Sequence, residues 1–259
     1  MKKIKTKIWV LAGIAISAIL LTAPALASAG YSKIYGNANE DDILDMRDVT
    51  YIKQLIFGKA PETTLTDANY DGKISMLDIG QTKLIIQGKE KELTLIDQAD
   101  RTVTVPRPIK RIVSTSMDAS RTIVQLGEAD KLVGVPNGRF KRFETLIAGT
   151  AYSQLKELPD IGLFFNPNIE LIVSLKPDVI FGIVGSMYLD YANTVQEKTA
   201  IPVICVGAPG SQDFEIHQLV DTVIGEEREA EEQIIAWNPD IIIFGNPRNA
   251  PAYIPYIYY

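Results

Sequence analysis

The chain holds one cysteine and one histidine in 259 residues. With Cys205 alone, no internal disulfide and no zinc-finger spacing can form. Cys205 lies inside the apolar run Ile201-Pro202-Val203-Ile204-Cys205-Val206, which reads as a buried, inert thiol. His217 is the single imidazole, so a histidine-rich zinc or manganese site is disfavoured, and a Ser-His-Asp triad would rest on that one ring. Positive charge is scarce: 26 Lys and Arg stand against 32 Asp and Glu, a poor balance for nucleic-acid binding. No nucleophile motif of the Gly-x-Ser-x-Gly kind occurs, so an enzyme is not expected. After the first 30 residues no apolar stretch is long enough to cross a membrane.

Those first residues stand apart. Lys2, Lys3, Lys5 and Lys7 are followed by an apolar run from Ile8 to Leu21 and by Ala25-Leu26-Ala27-Ser28. That order reads as a signal peptide over residues 1–29, with a retained membrane anchor as the alternative. The location expected is secreted: extracellular, cell-surface or periplasm-like. No cysteine lies near the cleavage-like site, which argues against a lipid anchor there. Loss of the leader and its four lysines takes the formal net charge from −6 to −10, a balance suited to a cationic ligand. A hydrophobic fraction of 46% still allows a sizeable core.

What is present begins with a repeat. Residues 38–59 align with 68–89 at a fixed offset of 30: Asn39 with Asn69, Asp41 with Asp71, Met46 with Met76, Asp48 with Asp78, Gly58-Lys59 with Gly88-Lys89. The second copy places oxygen side chains Asp67, Asn69, Asp71, Ser75 and Asp78 at loop positions 1, 3, 5, 9 and 12, with Lys73 offering its carbonyl at position 7. Calcium takes six to eight oxygens, and a loop alternating ligands with spacers wraps them round one ion. Gly72, at position 6, allows the sharp turn. The first copy offers Asn37, Asn39, Asp41, Ile43 (by its carbonyl), Asp45 and Asp48. There Asn37 replaces the first acid and Asp42 replaces the glycine, which predicts a left-handed Asp42 and weaker binding. The plainer alternative is a polar, Asx-rich turn before a helix. Helices are expected over 46–57 and 76–87, with Val49, Ile52 and Ile56 on one face of the first, and each ends at Gly-Lys.

Residues 35–92 resemble a type I dockerin domain. The resemblance implies a small all-α unit of two loop–helix repeats, two calcium ions and a cohesin module as partner. Recognition residues would be Met46, Arg47, Met76 and Leu77, which are not the common Ser/Thr pairs of cellulosome dockerins.

From Leu93 the pattern changes to strands alternating with helices, the pattern of an α/β layer fold with a parallel sheet. Strands are expected at 93–97, 102–105, 111–114, 131–135, 178–182 and 202–207. Helices are expected at 117–126, 169–174 and 189–198, and a longer connecting one at 213–233, interrupted near Gly225. Asp97…Arg101-Thr102-Val103-Thr104-Val105-Pro106, Lys110-Arg111-Ile112-Val113-Ser114, Leu132-Val133-Gly134-Val135, Leu158-Pro159-Asp160-Ile161-Gly162, Asn168-Ile169-Glu170-Leu171 and Lys176-Pro177-Asp178-Val179-Ile180 carry a second resemblance. It is to the periplasmic-binding family for iron-siderophores and cobalamin. The resemblance implies two α/β lobes, an ABC importer permease as partner, and a ferric siderophore or corrinoid held between the lobes. Residues 93–259 are too short for both lobes, so the second is expected to be incomplete, and Trp237 is expected in core. Ligand would meet the carboxyl ends of parallel strands, at Ser116, Arg139, Gly185 and Tyr188. Rival expectations are an assembly module carrying an inert receptor remnant, or a polysaccharide-degrading enzyme component.

Overall fold

The computed structural model describes residues 31–136, 155, 157–163, 166–184, 189–207 and 213–225. The leader, Trp237 and the region expected to hold the incomplete second lobe lie outside these residues.

The front segment forms two helices, α1 (Met46–Ile56) and α2 (Met76–Ile86). Both start with a capping box. Asp45 and Ser75 cap Arg47 N and Leu77 N, while Asp48 and Asp78, three residues on, accept from the backbone of their own caps. The last acid of each expected cation loop is thus also a helix-start signal. Ala38, Val49, Ile52 and Ile79 form the small core between the helices. Ile56, expected on the same face as Val49 and Ile52, is instead 36% exposed at the end of α1.

An antiparallel hairpin follows, β1 (Glu92–Ile96) with β2 (Thr102–Pro106), running from Glu92 opposite Pro106 to Ile96 opposite Thr102. The rest is a parallel sheet: β3 (Ile112–Ser114), β4 (Leu132–Gly134), β7 (Val179–Ile183) and β8 (Val203–Val206), in the order β4-β3-β7-β8. A two-residue pair, β5 (Gly162–Leu163) with β6 (Asn166–Pro167), lies apart from it.

Alternate residues of the sheet feed two cores. Ile112, Val179, Phe181, Ile204 and Val206 face α3 (Met117–Gln125) and α6 (Asp213–Ile224) through Ile123, Ile216, Leu219 and Val220. Val113, Ile180, Val203 and Cys205 face the other way, toward α4 (Ile169–Leu175) and α5 (Leu189–Thr199), and meet Ile172, Ala192 and Val195. Strands buried on both faces read as unbroken apolar runs, which is why they are legible without alternation. Each fully buried aliphatic side chain contributes about 1.5–3 kcal/mol.

The connecting helix stops at Ile224. Gly225 takes a positive φ of 90°, and a Cβ there would strike the Arg107 guanidinium, which donates to Thr222 O. Arg107 also pairs with the nearly buried Glu90, Nε to Oε1 3.2 Å. This one arginine therefore ties the front segment, the hairpin and the end of α6 together.

Candidate functional site

Both repeat loops close by turning backbone N–H groups onto side-chain oxygens. In the second loop Asp67 accepts from Asp71 N at 3.1 Å and Gly72 N at 2.8 Å. Asp71 accepts from Lys73 N at 2.9 Å. Asp78 accepts from Asn69 N at 3.3 Å and Ser75 N at 2.7 Å. In the first loop Asp41 accepts from Ile43 N at 2.9 Å, and Asp48 from Asn39 N at 3.2 Å and Asp45 N at 2.8 Å.

The loops differ at their first residue. Asn37 donates its amide to Ser32 O at 2.7 Å and Asp41 O at 2.6 Å, so no partner exists for the Asp67–Gly72 bond. Asp42 is accordingly not left-handed, contrary to expectation; the left-handed residue in each loop besides Gly72 is at position 4, Glu40 (φ 54°) and Tyr70 (φ 55°). Each is held by contacts the spacing does not reveal: Glu40 accepts from Thr64 N at 2.9 Å, and the Tyr70 ring meets Tyr35 edge-on at 4.9 Å.

Asp48 and Asp78 are fully buried, and burial raises both carboxyls above their ordinary range despite the N–H donors that oppose it. Neither has an ion-pair partner among the described residues. The Oδ1 of Asn37, the first oxygen of its loop, is buried with no hydrogen-bond partner. Among the described residues no three His, Cys, Asp or Glu side chains form a metal cluster. The loops instead mix carboxylate, amide, hydroxyl and carbonyl oxygens, the donor set calcium accepts.

Beside the first loop an open groove of about 620 Å³ runs between Asn39, Met46, Arg47, Thr50, Tyr51 and Gln54. Met46, Met76 and Leu77, expected at a partner surface, are exposed, as are Phe57 and Leu84.

The loops are joined to the α/β part. Residues 33–35 run beside β1 with Ile34 bridging Leu95, Tyr35 N donating to Thr94 O at 3.0 Å and Ile96 N to Lys33 O at 2.9 Å. Asn37 follows directly, its N–H bonded to Ile34 O at 3.0 Å. Leu44 and Ile85 pack against the core that holds Phe181.

At the sheet, β3 and β7 are neighbours whose connections run to opposite sides, so the point between their carboxyl ends is the switch point of the fold. Thr115 locks that point, donating from N and Oγ1 to Phe181 O at 2.8 and 2.9 Å. Ser116 stands there as expected, but buried. Its hydroxyl accepts from Ala119 N at 3.2 Å as the cap of α3, and its carbonyl takes Ser114 and Ser120 hydroxyls at 2.8 Å each. Arg139, Gly185 and Tyr188 lie outside the described residues.

One cluster escapes motif reading. Asp97, fully buried in the hairpin turn, accepts from Ala99 N, Arg101 N and Cys205 N at 2.9, 3.0 and 3.0 Å. Arg101 answers with Nη1 to Asp97 (3.4 Å), Val203 O (3.1 Å) and Cys205 Sγ (3.2 Å), and Nη2 to Gln196 (3.0 Å). Burial pushes the Asp97 carboxyl up despite these partners. Burial first, and the Asp97 charge second, push the Cys205 thiol up to about 11. A maleimide or aromatic disulfide reagent at neutral pH is therefore expected to leave Cys205 unmodified until denaturant is added; prompt labelling of the native chain would contradict the buried thiol.

No family model matches the chain. It is similar to an uncharacterized ABC transporter substrate-binding lipoprotein of Bacillus subtilis, YvrC, at 26% identity over 138 residues, 53% of this chain and 40% of the relative. The chain thus spans less than half of that relative's length. Among solved structures it is similar to the molybdate-bound periplasmic binding protein MolA of Haemophilus influenzae, at 22% identity and a TM-score of 0.44, covering 55% of this chain and 49% of that one. The petrobactin-binding protein YclQ of Bacillus subtilis gives 18% and 0.44, covering 57% and 50%. SirA of Staphylococcus aureus, complexed with staphyloferrin B, gives 21% and 0.43, covering 56% and 46%.

Proposed function

We propose that the chain is a secreted, non-enzymatic solute-binding component of an ABC importer for a ferric siderophore or corrinoid, carrying a calcium-dependent dockerin unit for a cohesin. The observation that carries the receptor half is the parallel sheet with its switch point between β3 and β7, where a ligand of an open α/β sheet binds. The similarity to a substrate-binding lipoprotein supports the same half. The permease is the partner that such a component requires. The calcium half rests on two buried carboxylates without an ion pair at the same loop position, and on the orphaned Asn37 oxygen. Asp67, Asn69, Asp71, Lys73 (carbonyl), Ser75 and Asp78 would hold one ion; Asn37, Asn39, Asp41, Ile43 (carbonyl), Asp45 and Asp48 the other. The exposed Met46, Met76 and Leu77, with Arg47, supply the face for the cohesin.

The alternative is an assembly module with an inert receptor lobe. Native mass spectrometry of the chain in calcium, with a panel of ferric siderophores and cobalamin, separates the two. Two bound calcium ions with a retained ligand are expected. Two calcium ions and no ligand would leave the assembly reading, and no calcium would sink the dockerin half.

A further inference from the structure

The two loops carry different residues at position 11, and the difference is electrostatic. In the first loop Arg47 reaches back onto the loop. Its Nη1 is 3.1 Å from Asp41 Oδ2, and its Nε is 3.1 and 2.9 Å from the two oxygens of Asp45. Asp41 and Asp45 are the candidate ligands at positions 5 and 9. Asp41 Oδ1 is already taken by Ile43 N, so Oδ2 is the oxygen left for a cation, and Arg47 shares it with the Asn39 amide. The second loop repeats that geometry without the guanidinium. Asp71 Oδ1 takes Lys73 N, Asn69 donates its amide to Asp71 Oδ2 at 3.0 Å, and the residue at position 11 is the exposed Leu77.

We propose that Arg47 is an internal counter-cation of the first loop, one that a divalent cation must displace. The inference rests on the calcium reading above. It makes the loops unequal: the second accepts calcium with no guanidinium on its carboxylates, whereas the first must give up its contacts from Arg47 to Asp41 and Asp45. Displacement also has a destination. Arg47 lines the open groove with Met46 and Tyr51, so the released guanidinium turns from the loop to the face expected to meet a partner. Cation occupancy and the charge of that face are thereby coupled. A salt-screened, exposed pair sets the scale, so the coupling is modest.

The test is calcium titration calorimetry on the full chain, as wild type, Arg47→Leu and Asp41→Asn. Two unequal sites are expected in the wild type. Arg47→Leu, which copies the second loop, should tighten the weaker site by about threefold to tenfold and leave the stronger one unchanged. Asp41→Asn should weaken or remove that same site, which assigns it to the first loop. Calcium should also shift the Arg47 Nε–Hε resonance in the wild type. Two sites with affinities unaltered by Arg47→Leu, or an Arg47 resonance that ignores calcium, would overturn this inference alone. Absence of uptake by any of the three proteins would overturn the calcium reading and this inference with it.

Discussion

In a calcium chelator the front segment is expected to melt at least 10 °C lower than in excess calcium, on the scale of about 1 kcal/mol per 4–8 °C for small domains. An ion at 100 times its dissociation constant stabilises the folded state by about 2.7 kcal/mol, and two ions roughly double that. The physical reason lies in Asp48 and Asp78. Both are fully buried, neither forms a direct ion pair among the described residues, and burial disfavours their charged form. Without an ion each rests on its two backbone N–H donors alone, and loss of those bonds opens the start of α1 or α2. The loss should not stop there. Asn37 opens the first loop directly after the stretch paired with β1, so the Tyr35 and Ile96 amides adjoin that loop. Hydrogen exchange in chelator is expected to expose both, along with Asn39 and Asp45. If Ile96 stays protected while Asn39 and Asp45 exchange freely, the front segment is an independent tethered module and the coupling drawn from the β1 pairing is wrong.

Local features of this molecule were legible in the sequence, and features made by distant chain were not. The two helix starts are legible because the acids Asp48 and Asp78 recur at a fixed offset and act as capping-box residues. The strands at Val179–Ile183 and Val203–Val206 are legible because two covered faces leave no polar alternation. The irregular apolar spacing of α2 has a tertiary cause. Met76, Leu77 and Leu84 point outward while Ile79 points to the core, so apolar residues lie on both faces and no helical stripe emerges. The left-handed Tyr70 depends on Tyr35, from outside its own loop. The Arg101 contacts to Val203, Cys205 and Gln196 join residues about a hundred positions apart, beyond any periodicity. Asp97 and Arg101 belong to a stretch that carries the family resemblance, yet their role emerges only when β8 is in place.

Asp97→Ala is expected to be the most damaging single change in the α/β part, costing about 3–5 kcal/mol. The carboxylate is buried and receives three backbone N–H groups and one guanidinium nitrogen. Its removal leaves the Cys205, Ala99 and Arg101 amides without an acceptor and the largely buried Arg101 charge without its counter-ion. The damage spreads through geometry as well. Among the described strands β8 is an edge of the sheet, and the hairpin turn covers it: Gln98 N donates to Cys205 O at 3.2 Å, and Gly207 N to Gln98 Oε1 at 2.6 Å. Losing the turn bares a strand edge, a template for association with other chains. Arg101→Met should cost less, because Asp97 keeps its three amide donors and the methionine fills the stem's volume. Urea unfolding of both variants, followed by circular dichroism, distinguishes these claims, with light scattering to detect association of Asp97→Ala. A loss under about 1 kcal/mol for Asp97→Ala would show that the turn rests on β8 without clasping it. An equal loss for both variants would show that the ion pair carries the stability and the amides do not.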